Sequence, residues 1–487
     1  MTSPSPAIVW FRKDLRLTDN PALHRAVESG APVIPVFILE DGSDTIRAPG
    51  GAGRWWLHHS LERLGAALGE AGAPLVLRRG DAAEALDALI AETRAGSVYW
   101  SDSFDPATKA RDDSIRAALA GRGITVESFN ATLLFDPSAI RSKAGTPFKV
   151  FTPFWRTLSS GPEPERPLPR PAKIRGVARS PRSEALASYG LLPTHPDWAG
   201  GIRESWTPGE EAAAERLHDF LDEIVQDYRT GRDRPGRDGT SRLSPHLHWG
   251  EISPRQVWHA AKMRMDAGSE PAIEAFLREI GWREFTHGLL QTHPDLAAEP
   301  MDRRFAKLPW RRDDDGLKAW QRGVTGFPIV DAGMRQLWRT GWMHNRVRMI
   351  TGSFLVKDLL VRWQEGEAWF WDTLVDADAA NNSANWQWIA GCGADPSPFF
   401  RVFNPVLQGK KFDPDGAYVS RFVPELAKLP PKFIHHPWDA SKDVLAKAGV
   451  VLGKTYPYPI VDHATARDRA LEALRAMRQA TRVEAAS

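Results

Sequence analysis

The sequence predicts an α/β domain with a doubly wound parallel sheet, followed by a larger all-α domain. Two patterns carry this: short β-branched runs alternate with helical spacing over about the first 130 residues, and from Gly209 onward the apolar spacing is helical alone. Length is the third observation, since 487 residues exceed what one core organises. The expected division is 1–135 for the α/β domain, 136–208 for a connector and 209–487 for the helical domain.

Strands are expected at Ala7–Phe11, Val33–Leu39, Pro74–Arg78, Ser97–Trp100 and Ile124–Phe129, apolar runs suited to burial on both faces. Between them, Pro21–Ser29, Trp55–Ala71, Ala82–Thr93 and Thr108–Gly121 have helical spacing. The first strand is followed by Arg12-Lys13-Asp14-Leu15-Arg16-Leu17, with no G-x-G-x-x-G, and Gly50, Gly51 and Gly53 have the wrong spacing for one. A nucleotide cofactor is therefore expected elsewhere. Between Phe151 and Pro208 prolines recur (Pro162, Pro164, Pro167, Pro169, Pro171), which predicts an extended connector without helix. Beyond it, helices are expected over Glu210–Arg229, Pro254–Met265, Pro271–Gln291, Val330–Arg339, His344–Trp363 and Ala464–Ala480.

Composition excludes little: 42% apolar, 25% charged, and 63 basic against 61 acidic residues, so a nucleic-acid face must come from local segregation of charge. The single cysteine, Cys392, excludes an internal disulfide and a cysteine-based zinc site, and no metal is expected. Met1–Leu15 lacks the apolar core of a signal peptide and no run is long enough to span a membrane, so a cytoplasmic location is expected.

Nine of the 20 tryptophans fall between Trp310 and Trp388, and the block ends in Asp376-Ala377-Asp378-Ala379-Ala380-Asn381-Asn382-Ser383-Ala384-Asn385-Trp386-Gln387-Trp388. Buried indoles need N–H partners. Beside paired Asp and Asn they suggest a redox-active aromatic cofactor with a path for electrons; a large aromatic core is the alternative. Gly239-Thr240-Ser241-Arg242-Leu243-Ser244-Pro245 offers hydroxyls and a guanidinium at a helix entrance, suited to phosphate, or simply a cap by Ser244 or Thr240. Glu279, Trp282 and Arg283 share a helix face that suits a flat, polar-edged ligand, or they include an i,i+4 ion pair on a solvated face. Asn345, Arg348 and Met349 fall on adjacent faces of the next segment, where His344 reads as structural. Asp376, Asp378 and Asn382 are candidates to meet Arg348 or a ligand's ring nitrogens and hydroxyls. Phe399–Asn404 and Lys410–Phe412 interleave bases and aromatics, as a phosphate backbone beside an unstacked base requires, or as a solvated loop allows.

In this order the segments resemble the photolyase/cryptochrome family of blue-light flavoproteins, from Ile8-Val9-Trp10-Phe11-Arg12-Lys13-Asp14 to Tyr456-Pro457-Tyr458-Pro459-Ile460-Val461-Asp462-His463. The resemblance implies an antenna pigment on the α/β domain and a U-shaped FAD in the helical one, active as FADH−. It implies that Tyr228 and Thr240, Ser241, Arg242, Leu243 and Ser244 hold the flavin phosphates. Phe276, Glu279, Arg283, Asn345, Arg348, Asp376, Asp378 and Asn382 then line the rest, Asn382 facing flavin N5. Trp386, Trp363 and Trp310 match the electron-transfer chain; Trp338, Trp369 and Trp371 read as packing, and Trp320 and Trp342 take no role. Glu279, Trp282, Arg283, Asn345, Met349 and Trp388 match the lesion pocket, and Arg346 and Arg401 match grips on DNA phosphates.

Plant-type cryptochromes usually place Asp where this chain has Asn382, and (6-4) photolyases place His where it has Asn345. The chain also ends at Ser487, a short way past His463. The resemblance thus implies a carbon–carbon lyase that repairs cyclobutane pyrimidine dimers, of class I or the related class III, rather than a cryptochrome photoreceptor or a (6-4) photolyase. Phe276 departs from relatives with Trp beside the flavin. The antenna is expected to be methenyltetrahydrofolate rather than 8-hydroxy-deazaflavin, although Trp55–His59 and Trp100–Pro106 do not decide it. UV-damaged DNA is the expected partner, with no obligate protein partner and a monomeric state. The expected chemical role of Glu279 is that of a neutral acid donating to the dimer's carbonyl, which burial would favour.

Overall fold

The alternation at the N-terminus becomes five strands and four helices in the computed structural model, which describes residues 4–40, 46–266, 268–395 and 400–486, with side chains up to 482. These are β1 (Ala7–Phe11), α1 (Pro21–Glu28), β2 (Val33–Leu39), α2 (Gly51–Ala71), β3 (Val76–Arg79), α3 (Ala82–Thr93), β4 (Ser97–Ser101), α4 (Pro106–Ala120) and β5 (Thr125–Phe129). All strands pair in parallel in the order β3-β2-β1-β4-β5, with Ala7 opposite both Val33 and Ser97. Helices cover both faces, so β1 and β2 are buried along their whole length. Pro74 stays outside β3, since it cannot donate to the ladder. Helix α4 starts earlier than its apolar spacing, because Asp105 caps it by accepting from Thr108 N at 2.9 Å and Pro106 fills its first position.

Strand order reverses between β1 and β4, where open α/β sheets usually take a ligand. Here protein fills that crevice. Arg12 donates to Asp112 (2.5 Å), Ser101 Oγ to Asp14 (2.5 Å) and Leu15 N to the Trp249 carbonyl (3.2 Å). Gly250, at φ +68°, lies so close to the Lys13 carbonyl that a Cβ would collide with it. The missing glycine fingerprint and the filled crevice agree.

The connector corrects one expectation. Phe151–Ser159 is helix α5, and Gly200–Ser205 is a short α6. Pro153 sits in the first turn of α5, where its missing N–H costs nothing, and the prolines resume only at Pro162. Phe151, Phe154 and Leu158 form the buried stripe that holds α5 down.

The rest is helical: α7 (Glu210–Asp219), α8 (Tyr228–Gly231), α9 (Ser244–Trp249), α10 (Pro254–Met263), α11 (Glu270–Thr292), α12 (Asp314–Arg322), α13 (Pro328–Thr340), α14 (Asn345–Ser353), α15 (Trp363–Thr373) and α16 (Ala379–Ala390). Further helices include Pro405–Phe412, Ala417–Phe422 and the closing His463–Ala486. Two expected helices are broken. Glu210–Arg229 passes through a π turn at Phe220–Ile224, which re-phases the chain so that Phe220, Leu221, Val225 and Tyr228 all remain buried. His344–Trp363 divides after a π turn at Phe354–Asp358, and Leu360 at φ +57° turns the chain. Residues 354–361 are all buried, Lys357 and Asp358 included, so no exposed face marks the break.

The two halves dock through buried charge. Arg255 donates to Asp19 (2.9 Å), Ser253 Oγ to Asp19 (2.5 Å) and Arg16 to the Gly250 carbonyl (2.9 Å). Among the described residues no helix is long and apolar enough to cross a membrane, and no group of three or more His, Cys, Asp or Glu side chains is placed to hold a metal.

Candidate functional site

A cavity of ≈ 520 Å³ opens in the helical half, walled by α8, α9, α11, α14, α15 and α16. Its floor is acidic for a local reason. Asp378 is the N-cap of α16 and accepts from Asn381 N and Asn381 Nδ2, each at 2.8 Å. Its Oδ2 lies 3.6 Å from His248 Nδ1 and 3.7 Å from His287 Nε2. Burial pushes His248 down and His287 down to about 4, so both imidazoles are neutral at neutral pH. Burial works against the Asp378 charge, yet the imidazoles and Lys13 hold its carboxyl well below the usual range, helped by the helix N-terminus. Nearby, Asp376 accepts from Ser244 Oγ at 2.6 Å and from Arg348 Nη2 at 2.8 and 3.1 Å. Ser244 is therefore no cap; it is the first residue of α9, whose N-cap, Leu243, makes no side-chain bond.

Helix α11 supplies Phe276, Glu279, Trp282 and Arg283 to the wall. Trp282 stacks on Phe151 of α5, with ring centroids 3.8 Å apart and 7° between planes. Arg283 donates to the Thr132 carbonyl at 2.6 Å, so the i,i+4 pair with Glu279 does not form. Glu279 instead takes Arg232 Nη1 at 2.6 Å. Burial opposes the Arg232 charge, but the hydrogen bond it donates to Glu279 carries its pKa up. Arg232 thus takes Glu279 in place of the i,i+4 partner that the helix spacing offered.

Asn345 opens α14 behind His344, which caps it by accepting from Arg346 N at 3.1 Å. Burial holds His344 down to about 4, leaving its nitrogen free to accept. Arg346 binds Asp233 at 2.8 Å and lies over Phe412, 4.5 Å from the ring centre. Asn345, Arg346, Arg348 and Met349 all line the cavity. So do Tyr228, Ser241, Leu243, Ser244, Asp376, Asp378, Asn382, Trp386 and Trp388. Thr240 and Arg242 lie outside the lining; Arg242, at φ +51°, sits over Trp206 and Trp342.

Trp386 is buried with its ring 4.9 Å from Phe370 and 6.1 Å from Trp320. Trp363, 1% exposed, and the partly buried Trp310 belong to the same core but not to the cavity. Arg401 is exposed and outside the lining, with its carbonyl accepting from Lys357 at 3.4 Å; Phe399 lies outside the described residues.

Residues 7–172 match the family described as DNA photolyase, and residues 276–476 match the FAD binding domain of DNA photolyase. A deoxyribodipyrimidine photo-lyase of Agrobacterium fabrum is 54% identical over 477 residues, spanning 98% of this chain and 99% of its own. The chain belongs to the photolyase/cryptochrome family. Another member, Cryptochrome-1 of Arabidopsis thaliana, is 39% identical over 492 residues, 99% of this chain and 71% of that protein. The crystal structure of a bacterial class III photolyase from Agrobacterium tumefaciens superposes with a TM-score of 0.96 at 53% identity, covering 98% of this chain and 99% of that one.

The cavity fits FAD, the cofactor of this photolyase/cryptochrome fold. Its volume lies within the usual range for ligand sites, and Arg283 and Arg348 set cations beside hydroxyls of Ser241 and Ser244. Trp386 Nε1 is buried in the wall without a hydrogen-bond partner, a donor that a ligand could engage. Several wall residues were not singled out from the sequence: Arg232, His248, Phe370 and Asn385. Trp342, left without a role, also lines the cavity and donates to Ser244 Oγ at 3.3 Å. Trp338 is not packing: it is 57% exposed, stacked 5.9 Å from Trp369. Trp371 joins the two halves, donating to the Ala48 carbonyl at 2.9 Å.

Proposed function

We propose that this chain repairs cyclobutane pyrimidine dimers in DNA by light, as a photolyase of the class III type. One observation carries the reading: Glu279, Trp282, Asn345, Met349 and Trp388 open onto the same cavity as Asn382, Arg348 and Asp376. A flipped-out dimer and a flavin would thus share one cavity. Reduced FAD, when bound, supplies the chemistry, donating one electron to the dimer on blue-light excitation and taking it back after the ring splits.

The chain's own residues bind and orient. A dimer is weakly stacked and paired, so extruding it costs less than extruding a normal base. Trp282, already rigid against Phe151, and Trp388, whose Nε1 is tied to the Asp395 carbonyl at 3.1 Å, offer apolar faces to it. Asn345 offers donor and acceptor to a base edge. Glu279 in its pair with Arg232 brings a guanidinium to the same place, so Arg232 and Glu279 are the candidate donors to a dimer carbonyl. Arg346 and Arg401 are assigned to phosphates, Asn382 to flavin N5, and Tyr228 with the 240–244 loop to the flavin phosphates. Trp386, Trp363 and Trp310 are assigned to the route by which the oxidised flavin is re-reduced; their shared core supports this.

The wider reading has the α/β domain (1–135) carrying methenyltetrahydrofolate as antenna, a connector (136–208) and the catalytic domain (209–487), acting as a cytoplasmic monomer on UV-damaged DNA. Illuminating the reduced protein with a defined thymine-dimer oligonucleotide tests the activity, read as recovery of thymine absorbance. No recovery would indicate a photoreceptor, and recovery only with a (6-4) oligonucleotide would indicate the other repair specificity.

A further inference from the structure

Asn382 does not stand alone in the wall. Both hydrogens of its amide are spent on one residue, Glu367 of α15: Nδ2 donates to the Glu367 carbonyl at 3.0 Å and to Glu367 Oε1 at 2.9 Å. What remains for the cavity is Oδ1, an acceptor only. Glu367 is buried, its side chain 3% exposed, and a buried carboxylate needs a counter-charge. Arg47 supplies it from the other half of the molecule, donating from Nη1 to Oε1 at 2.7 Å and Oε2 at 3.0 Å. Arg47 is itself seated: its guanidinium lies 4.1 Å from the Trp371 ring centre, and the neighbouring chain is pinned where Trp371 donates to Ala48 and Gly51 N donates to Asp372 Oδ1 at 2.8 Å.

We propose that Glu367, paired with Arg47, is the positioning residue that presents Asn382 to the cavity as a fixed, polarised acceptor, and that the α/β half thereby makes bound flavin easier to reduce. The inference rests on the reading that Asn382 faces flavin N5. Conversion of FAD to FADH− adds two electrons and one proton, and the proton resides on N5. An acceptor at that place gains a hydrogen bond in the reduced form and opposes a lone pair in the oxidised form. Differential contact of this kind shifts the equilibrium, whereas equal contact would not. The ionised carboxylate matters because a charge-assisted bond is about twice as strong as a neutral one and polarises the bond beyond it. A neutral group at position 367 also restores freedom to the amide, since it can itself donate to Oδ1 and compete with the backbone bond.

The test is the two-electron reduction midpoint of the flavin in purified holoenzyme, titrated with dithionite, with bound FAD per protein and melting temperature recorded alongside. Arg47→Met and Glu367→Gln should each shift the equilibrium at least tenfold toward oxidised flavin, about 30 mV lower. Arg47→Lys, which keeps the charge, should restore most of the shift. Removing Arg47 leaves the buried Glu367 unpaired, so Arg47→Met should melt below the parent and Arg47→Lys should recover most of that loss, while bound FAD shows that each midpoint is read on holoenzyme. Asn382→Leu is the reference: if its midpoint equals the parent's, the placement of Asn382 at N5 fails and the inference with it. A shift in Asn382→Leu with none in Arg47→Met or Glu367→Gln overturns the inference alone. Equal shifts in Arg47→Met and Arg47→Lys also overturn it, because packing rather than charge would then be responsible.

Discussion

Gly366 lies inside α15, where alanine would ordinarily stabilise a helix by about 1 kcal/mol. Here the opposite is expected. A Cβ built on Gly366 falls into the Trp386 ring, 2.5 Å from Cζ3 and 2.6 Å from Cζ2, against an ordinary contact near 3.4 Å or more. Phe370 and Trp320 hold two sides of the ring at centroid distances of 4.9 and 6.1 Å, so it can give way only toward the cavity it lines. Over-packing a filled core costs about 1–3 kcal/mol, and a clash of more than 1 Å against a ring belongs at the upper end. Subtracting the propensity gain leaves Gly366→Ala less stable by about 1–2 kcal/mol, or a melting temperature about 1–2 °C lower for a chain of this length. Because Trp386 is both cavity wall and first member of the proposed electron route, photoreduction of the oxidised holoenzyme should slow as well. Thermal melting and flavin bleaching under blue light read the two effects. A variant as stable as the parent or more so would show that the α15–α16 contact yields freely, and would refute the view that Gly366 is there to seat Trp386.

Glu279→Ala or Asn345→Ala should weaken lesion binding or repair yield about tenfold or more while bound flavin is retained, since each removes a polar contact worth about 1.5–3 kcal/mol when charge-assisted; parental yield would remove that residue from the pocket. Trp310→Phe should block photoreduction of oxidised flavin but spare repair by pre-reduced protein, and unchanged photoreduction would exclude Trp310 from the route. Stability should fall in acid through His287. Burial lowers its folded pKa to about 4 while the unfolded chain titrates near 6.5, so the unfolded state takes up the proton first. The contribution is complete above about pH 6.5 and is lost as pH falls toward about 4, amounting to about 3 kcal/mol over that window. Urea midpoints of the FAD-free protein at about pH 7 and about pH 5 should therefore converge in His287→Gln relative to the parent.

The sequence by itself determined the elements whose signals are local. The runs of β1 and β2 are buried along their whole length and read as strands, and Asp105-Pro106 and Ser253-Pro254 announce their helices by caps that need no tertiary partner. It also held the residue set of the cavity wall, because the chemistry of Asn382, Arg348 and Asp376 is written in their side chains. Tertiary structure decided which partners they meet. Glu279 had two candidates and took Arg232 from α8 rather than Arg283 one turn away. Ser244 had a cap to make and bonded Asp376, far along the chain, instead. Helix α5 formed inside the proline-rich connector because Phe151 found Trp282 to stack on. The helix break after Asp358 stayed hidden because a segment buried all round loses the polar face that periodicity needs. Trp338, read as core, stands in solvent, and Trp371 serves the junction between halves. Side-chain type and spacing set what each residue can do, but long-range contacts such as Arg47 to Glu367 depend on how two independently formed halves dock, and no local pattern encodes that.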